Sequence, residues 1–336
     1  MALIARALLS LVLLATSVAV AAPASAPGPG AYGLLLDFKR TEDPGTLRAS
    51  FAQARQAGVG WMRIDFLWHL IEPSQGRLQW SRYDSVTQAA RANGIALLGI
   101  LDYTAPWASR DPAARDDKQP PRDPASFVRY ATQTVERYRD TVTAWQVWNE
   151  PDHPSFWKGS AEEYARLLAL VYPAIKAANP AAQVVVGGLA EGGAADPRFL
   201  ESVLKVCRDL GRPCFDVFAF HTNFRSPADV RRQFATNRQR LAAFGLNPPI
   251  WVTEASYTSD SRQQTVPGYQ DGESAQARYL TDTVPLSFEL GATRVFWATL
   301  YDYRAEHGRY TASGLLGVDG RPKPAYETFR RMTAGQ

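Results

Sequence analysis

Short apolar runs alternate along the chain with longer segments in which apolar residues recur at helical spacing. Eight short runs have the β-branched and aromatic content of buried strands, and we predict strands at residues 32–38, 60–65, 95–101, 142–148, 183–189, 215–220, 250–253 and 294–300. The longer segments predict amphipathic helices at residues 46–57, 83–92, 124–138, 161–178, 197–210, 227–243, 274–290 and 324–332. Helix-stop signals such as Asn93-Gly94 and Asn179-Pro180 precede several of the strands.

The regular alternation of strands and helices predicts a parallel α/β architecture. Eight such units, without a glycine-rich dinucleotide-binding motif after the first strand, favour a closed (β/α)8 TIM barrel over a doubly wound sheet. The chain has 336 residues, 46% of them hydrophobic, which is enough for one barrel. We therefore predict a single domain over residues 27–336.

The N-terminal segment has the composition of a secretory signal peptide. Arg6 precedes an apolar run over residues 7–22, and Ala24-Ser25-Ala26 offers a small-residue cleavage site. A retained membrane anchor is the alternative, but the run is short for a membrane span. We therefore predict a signal peptide at residues 1–26, followed by a periplasmic or secreted mature protein that leaves the membrane after cleavage.

The net charge of the chain and its few cysteines and histidines limit the ligands and partners that we expect. The formal net charge is +4, but basic and acidic residues are interspersed, so we expect no nucleic-acid partner. Two cysteines and four histidines disfavour a dedicated zinc site, and we expect a monomer with no metal and no other cofactor. Cys207 and Cys214 bracket a loop with a glycine and a proline, where they form either a local disulfide or two buried thiols.

Two glutamates end strands that are otherwise apolar. Glu150 follows the fourth predicted strand and Glu254 the seventh, and in a TIM barrel these positions face each other across the catalytic end. Two carboxyl groups about 5–5.5 Å apart support double displacement at an anomeric carbon. Trp148 and Pro151 would desolvate Glu150 and favour it as the acid/base, which leaves Glu254 as the nucleophile. Asn149 would donate a hydrogen bond to the sugar 2-hydroxyl.

Aromatic residues are concentrated in the predicted loops at the strand ends. Because sugar rings stack on aromatic planes, they predict a carbohydrate cleft. The candidates are Trp68, Tyr103, Trp107, Phe156, Trp157, Tyr257, Tyr269, Tyr301, Tyr303 and Tyr310. Some of these rings will instead pack the loops together, and we expect that role for Trp157 and Tyr310. Asp65 and Asp102 either bind sugar hydroxyls or satisfy backbone donors.

Two motifs that contain the candidate glutamates resemble those of a known enzyme family. The motifs Trp148-Asn149-Glu150-Pro151 and Trp251-Val252-Thr253-Glu254 resemble clan A of the glycoside hydrolases, a retaining group with carboxylates on strands four and seven. With Arg63-Ile64-Asp65 and Gly314-Leu315-Leu316 in the same order, the mature chain is similar to family 39 and its bacterial exopolysaccharide-cleaving relatives.

The resemblance implies roles for three further residues. Arg63 would pair with the nucleophile and hold it ionised, and His221 would line the site or contact neighbours of the nucleophile. Trp297 would form a platform beneath the sugar, followed by a non-proline cis peptide to Ala298.

One position departs from the family pattern. Many relatives carry a tyrosine two residues after the strand-six histidine, where this chain has Asn223. Either Tyr257 or Tyr301 supplies the missing phenol, or the nucleophile is held differently.

The sequence thus predicts a retaining, endo-acting β-glycosidase that hydrolyses a β-linked polysaccharide by double displacement, with exopolysaccharides among the candidate substrates. The alternatives are an exo-acting β-glycosidase such as a β-xylosidase, transglycosylation by the same residues, and a non-catalytic carbohydrate-binding barrel. A structural protein that uses the barrel only as a scaffold would have no sugar cleft.

Overall fold

The computed structural model describes residues 27–304 and 308–335, and the predicted signal peptide lies outside them. Eight strands form one parallel sheet in the order β5-β4-β3-β2-β1-β8-β7-β6. The strands are β1 (Tyr32–Leu35), β2 (Trp61–Leu67), β3 (Ala96–Asp102), β4 (Val142–Asn149), β5 (Gln183–Gly188), β6 (Phe218–His221), β7 (Ile250–Ala255) and β8 (Ala292–Trp297). Parallel bridges at Val185–Val217 and Leu189–Phe220 join β5 to β6 and close the barrel. The predicted (β/α)8 TIM barrel is confirmed.

Helices cover the outside of the sheet. They are α1 (Pro44–Gln56), α2 (Trp68–Ile71), α3 (Ser81–Asn93), α4 (Pro124–Tyr138), α5 (Ala161–Ala178), α6 (Phe199–Asp209), α7 (Pro227–Ala242), α8 (Gly272–Glu289) and α9 (Pro324–Thr333). All except the one-turn α2 match a predicted helix. The bounds of α5 match the prediction because Ser160 and Glu163 form a capping box that marks its start.

The strands are buried on both faces, as parallel strands covered by helices must be. All six residues of β7 are buried, and so are six of the seven residues of β3. Asn149, His221 and Glu254 lie at or near the carboxyl ends of β4, β6 and β7, which places the chemistry at one rim of the barrel.

Strands β1 and β8 each end three residues earlier than predicted. The extended backbone of β1 stops at Leu35, because the Asp37 carboxylate accepts a hydrogen bond from the Lys39 amide and starts a 3-10 helix at Phe38–Thr41. Strand β8 stops at Trp297, and the non-proline cis peptide is Ala298–Thr299. The prediction of a cis bond between Trp297 and Ala298 is therefore wrong by one residue.

Cys207 near the end of α6 is joined by a disulfide to Cys214 in the segment that leads to β6. This decides between the two alternatives that the sequence leaves open.

None of the described helices combines the length and the apolar character that a membrane crossing requires.

Candidate active site

The carboxyl ends of the strands open into a cleft of about 760 Å³. Its floor carries charged and amide side chains from β2, β4, β6 and β7 and the residues that follow them, namely Arg63, Asn149, Glu150, His221, Asn223 and Glu254. Its walls carry six aromatic rings, which are Phe38, Tyr103, Phe156, Phe224, Tyr303 and Tyr310. A carboxylate-bearing floor with aromatic walls is an arrangement suited to sugar rings.

Glu150 and Glu254 converge on this floor. Each side chain is nearly buried, and together with His221 they bring one ligand atom each within 4.8 Å of one another. Carboxyl oxygens that approach within this limit are compatible with the spacing of about 5–5.5 Å in retaining glycosidases rather than with the roughly 6.5–9.5 Å of inverting ones. Glu150 is held in a left-handed backbone conformation, with φ +46°, and its amide donates to the Gly188 carbonyl across the barrel rim.

Glu254 is surrounded by donors. Arg63 Nη1 lies 2.8 Å from its Oε1, and Asn223 Nδ2 lies 3.0 Å from its Oε2. Burial by itself would raise the pKa of Glu254, but the charges of His221 and Arg63 and the hydrogen bonds from Asn223 and Arg63 outweigh it. The pKa of Glu254 is therefore held below its ordinary value, and the carboxyl stays ionised.

The groups that hold Glu254 are themselves fixed. Arg63 is almost fully buried and its Nη2 donates to Asn149 Oδ1 at 2.6 Å, while Ser256 Oγ donates to Asn223 Oδ1 at 2.7 Å. The second contact orients the Asn223 amide with its nitrogen toward the carboxylate. The nucleophile candidate is thus held differently from the tyrosine pattern, by an amide that the sequence indicated only as a departure.

His221 lies between the two carboxyl groups. Its Nδ1 is 2.8 Å from Glu150 Oε1 and 3.6 Å from Glu254 Oε2. The ring fits because Gly188 has no side chain, since a Cβ at that position would lie 2.3 Å from His221 Nε2. One imidazole therefore couples the positions of both candidate catalytic groups.

Asp65 and Asp102 lie beneath the same floor. Burial raises the pKa of the half-buried Asp65 to about 6, with Arg63 opposing part of that rise. Asp102 is fully buried, and neither of its carboxylate oxygens has a hydrogen-bond partner within residues 27–304 and 308–335. Burial and the neighbouring Asp65 raise the pKa of Asp102 well above its ordinary value. Of these two aspartates, Asp65 lines the cleft and Asp102 does not.

Two predicted binding tryptophans lie outside the lining of the cleft. The fully buried Trp68 donates through Nε1 to Glu72 Oε2 and stacks on Tyr130 at a centroid distance of 5.3 Å. Trp107 donates to the Glu72 carbonyl and packs edge-on against Trp68. The assignment of Trp68 to substrate binding is wrong, because its indole is fully buried, whereas Trp107 is half-buried and its contact with substrate stays a prediction.

Tyr257 and Tyr301 do not replace the missing phenol. Tyr257 stacks on Tyr279 at 4.3 Å and its hydroxyl donates to the Tyr269 carbonyl. Tyr301 lies under the Arg40 guanidinium at 3.9 Å. Both rings are buried outside the lining of the cleft, so the prediction that they bind the substrate is wrong.

Trp297 is also misassigned as the sugar platform. Successive residues of a strand point to opposite faces, and the inward position belongs to Phe296, whose ring occupies the space beside Gly33 on β1. Trp297 is fully buried on the outer face, near Tyr279 of α8, and its indole donates to the Ser313 carbonyl.

Several residues that line the cleft were missed by the sequence reasoning. They are Asp37, Phe38, Lys39, Lys118, His153, Arg225, Asp229 and Arg309. Tyr310, which we expected to pack the loops, lines the cleft as well, whereas Trp157 is buried as expected. At the first strand, Asp37 could have indicated these positions from the sequence. It caps the following 3-10 helix, so the strand ends before it and Phe38 and Lys39 lie at the rim of the barrel.

Glu150, His221 and Glu254 also form a group whose atoms could converge on a metal ion. In this structure Glu150 Oε1 contacts His221, and the two Glu254 oxygens contact Arg63 and Asn223. A cation would have to displace these contacts and would meet the Arg63 charge, so the donor set suits proton and glycosyl transfer better than metal binding.

Comparison with known proteins agrees with this geometry. Residues 122–262, which include both glutamates, match the profile of glycosyl hydrolases family 39. A β-xylosidase of Geobacillus stearothermophilus is 31% identical over 249 residues, which is 64% of this chain. The chain spans about half the length of that relative, since the match covers 47% of it.

Similar solved structures share the fold. A family 39 glycoside hydrolase from Bacteroides cellulosilyticus WH2 superposes with a TM-score of 0.71 at 21% identity, over 92% of this chain and 64% of that one. A monomeric β-xylosidase from Caulobacter crescentus CB15 gives a TM-score of 0.68 at 19% identity, over 93% of this chain and 70% of that one. The resemblance stated from the motifs is confirmed over residues 122–262, which match glycosyl hydrolases family 39, and the similar solved structures share the barrel fold.

Proposed function

We propose that this protein is a retaining β-glycosidase with Glu254 as the nucleophile and Glu150 as the acid/base. The observation that carries the proposal is the convergence of the two carboxyl groups within 4.8 Å at the floor of the cleft. Double displacement requires one ionised and one protonated carboxyl group. The surroundings of Glu150 and Glu254 differ accordingly, because Arg63 and Asn223 stabilise the ionised form of Glu254 alone.

The reaction follows from these positions. A Glu254 oxygen attacks the anomeric carbon, the bond to the leaving oxygen breaks, and Glu150 transfers its proton to that oxygen. Glu150, now ionised, removes a proton from a water molecule whose oxygen attacks the same carbon. As the new bond forms, the bond to Glu254 breaks and frees its carboxylate, and the proton taken from water leaves Glu150 protonated for the next cycle. Two inversions leave the anomeric configuration unchanged.

We further propose that the enzyme is endo-acting on a β-linked polysaccharide, with exopolysaccharides among the candidates. The cleft continues past the carboxyl pair, since Gly192, Gly193 and Arg225 also line a second cavity of about 510 Å³. The aromatic rings of the cleft come from the segments that follow five different strands, β1, β3, β4, β6 and β8. Both features suit an internal segment of a glycan chain.

An exo-acting β-xylosidase is the second candidate, favoured by the Geobacillus relative of that name. The two modes differ in their products. An endo enzyme releases oligosaccharides of mixed size from the start of the reaction, whereas an exo enzyme releases one small sugar. Product sizing by chromatography at low conversion distinguishes them.

NMR spectroscopy of the first-formed product tests the mechanism itself. A β-linked substrate should yield the β-anomer before mutarotation. An α-anomer as first product contradicts double displacement, and absence of turnover on every β-glycoside tested would favour the non-catalytic binding barrel.

We also propose that the chain is exported. The N-terminal segment predicts a signal peptide at residues 1–26, and the Cys207–Cys214 disulfide suits an oxidising compartment. N-terminal sequencing of the protein from culture medium or periplasm tests this, with a start near residue 27 expected.

A further inference from the structure

We propose that the cleft selects a glycan that carries fixed negative charges, such as uronate or sulfate groups. This inference rests on the proposed glycosidase function and deepens it by naming the charge of the substrate. It starts from three cationic side chains, Lys39, Lys118 and Arg309, which line the cleft around the carboxyl pair.

The three cations come from separate parts of the chain. Lys39 lies in the 3-10 helix after β1, Lys118 in the loop between β3 and α4, and Arg309 in a 3-10 helix at Gly308–Tyr310 after β8. Their convergence on one opening distinguishes them from the basic residues scattered over the outer helices. A bound glycan would meet positive charge on more than one wall of the cleft.

Two of the cations are held against aromatic rings of the same cleft. Lys118 Nζ lies 3.5 Å from the centroid of the Tyr103 ring, and the Arg309 guanidinium carbon lies 4.7 Å from that of Phe224. Cation–π contacts of this kind restrain a long side chain that would otherwise sample solvent. The charges are therefore placed on the walls before a ligand arrives, which lowers the entropic cost of binding.

Five carboxyl groups line the cleft beside these cations, but the ion pairs among the described residues are unevenly distributed. Within residues 27–304 and 308–335, Lys39 and Arg309 make no ion pair, whereas Lys118 pairs with Asp117 at 2.6 Å. Among the carboxylates of the cleft, Glu254 pairs with Arg63 and Asp229 with Arg232.

The remaining carboxyl groups of the cleft are Asp37, Asp65 and Glu150, and in the described part of the chain none of them pairs with Lys39 or Arg309. Asp37 accepts a hydrogen bond from the Lys39 amide, and Glu150 Oε1 contacts His221 Nδ1. Burial raises the pKa of Asp65 to about 6, which reduces its charge in mildly acidic solution. Carboxylate or sulfate groups on the sugar would supply the missing partners through charge-assisted hydrogen bonds.

Affinity electrophoresis with the Glu254→Ala variant tests the inference without turnover. The probes are glucuronoxylan beside its carboxyl-reduced form, and a carrageenan beside its desulfated form. We expect at least one charged polymer to retard the protein about tenfold more strongly than its neutral counterpart, with an effect that weakens as salt is added. The two pairs distinguish uronate from sulfate as the source of charge.

A charge-removing double variant provides the second arm. Lys39→Gln combined with Arg309→Gln should weaken binding of the retained charged polymer about tenfold, since the variant loses two exposed charge contacts to the polymer. The matched control is Arg48→Gln combined with Arg331→Gln on α1 and α9, which removes the same charge from exposed positions of the outer helices. We expect the control to bind like its parent.

Equal binding of charged and neutral polymers, or binding of neither, overturns the inference. An equal loss in the cleft variant and in the outer-helix control also overturns it. The proposed glycosidase function is judged separately, by hydrolysis of aryl β-glycosides by the wild-type protein. Turnover without charge selectivity would refute this inference alone, and charge-selective binding without turnover would refute the glycosidase function alone.

Discussion

Asn223 donates a hydrogen bond from Nδ2 to Glu254 Oε2 at 3.0 Å, in a position where related enzymes carry a tyrosine two residues after the strand-six histidine. An amide has no ionisable proton, so its donation does not change across the working pH range. Ser256 fixes the orientation of the amide by donating to its oxygen. The ionised state of the proposed nucleophile thus depends partly on a neutral side chain.

Removing that amide should shift the acid limb of the activity profile. Because Asn223 lowers the pKa of Glu254, Asn223→Ala should raise that pKa, so that kcat/KM begins to fall at a higher pH than in the wild type. Initial rates on an aryl β-glycoside between pH 3 and 8 measure the shift. Asn247→Ala, in the exposed loop before β7, is the control and should keep the wild-type profile. A loss of rate with an unmoved acid limb would contradict the proposed role of Asn223.

Glu254→Ala should lower turnover on the order of 10⁴-fold, because the glycosyl-enzyme can no longer form. Added azide should restore activity on a substrate with a good leaving group and yield a glycosyl azide of inverted configuration. The product is identified by NMR spectroscopy. A fully active variant, or a product of retained configuration, argues against Glu254 as the nucleophile.

Glu150→Gln should affect substrates according to their leaving groups. Activated aryl glycosides need little proton donation, so their first step should survive, whereas natural glycans should lose nearly all turnover. Pre-steady-state measurement of aryl alcohol release separates the first step from the second. An equal loss on both classes of substrate would count against an acid role.

Gly188→Ala tests the coupling through His221. A Cβ at this position would lie 2.3 Å from His221 Nε2 and 2.6 Å from Thr253 Oγ1, so the imidazole must leave its present position against Glu150. We expect kcat/KM to fall about 10- to 100-fold, since a displacement near 1 Å suffices for such a loss. Gly28→Ala is the matched control, because a Cβ there meets no atom within 4 Å. Wild-type kinetics in a folded Gly188→Ala protein would show that the position of His221 is unimportant.

Asp65→Asn should stabilise the protein at neutral pH. The folded-state pKa of Asp65 is raised from 3.8 to about 6, so the folded protein binds more protons than the unfolded chain across that interval. Stability from this group is therefore lost as the pH rises through the window. We expect the variant to gain about 1–2 kcal/mol in unfolding free energy at pH 7, and the gain to shrink toward pH 4. Denaturant titrations at both pH values measure it, and a gain that does not depend on pH contradicts the assignment.

The order of the elements and the positions of most helices could be predicted because their signals are local. The start of α5 is marked by Ser160 and Glu163 within four residues of sequence, and α4 starts after the capping Asp123. The convergence of Glu150 and Glu254 could also be anticipated, since position at a strand end determines which rim of a barrel a residue occupies.

The direction of individual side chains could not be predicted in the same way. Trp297 and Phe296 are adjacent, and only the register of β8 against β1 decides which one faces the barrel interior. Trp68 and Tyr257 are aromatic residues of strand-end loops, but their loops fold back and bury them against Tyr130 and Tyr279. Such packing depends on residues distant in sequence, which a reading of local pattern does not contain.

The Cys207–Cys214 disulfide links the integrity of the barrel to the redox state of its surroundings. It closes a short loop between α6 and the segment that leads to β6, the four-residue strand that ends at His221. Closing a loop of this length stabilises a folded chain by about 2 kcal/mol in the chain-entropy model. A reductant strong enough to open the bond would therefore lower the melting temperature and loosen first the entry to the strand that holds the imidazole.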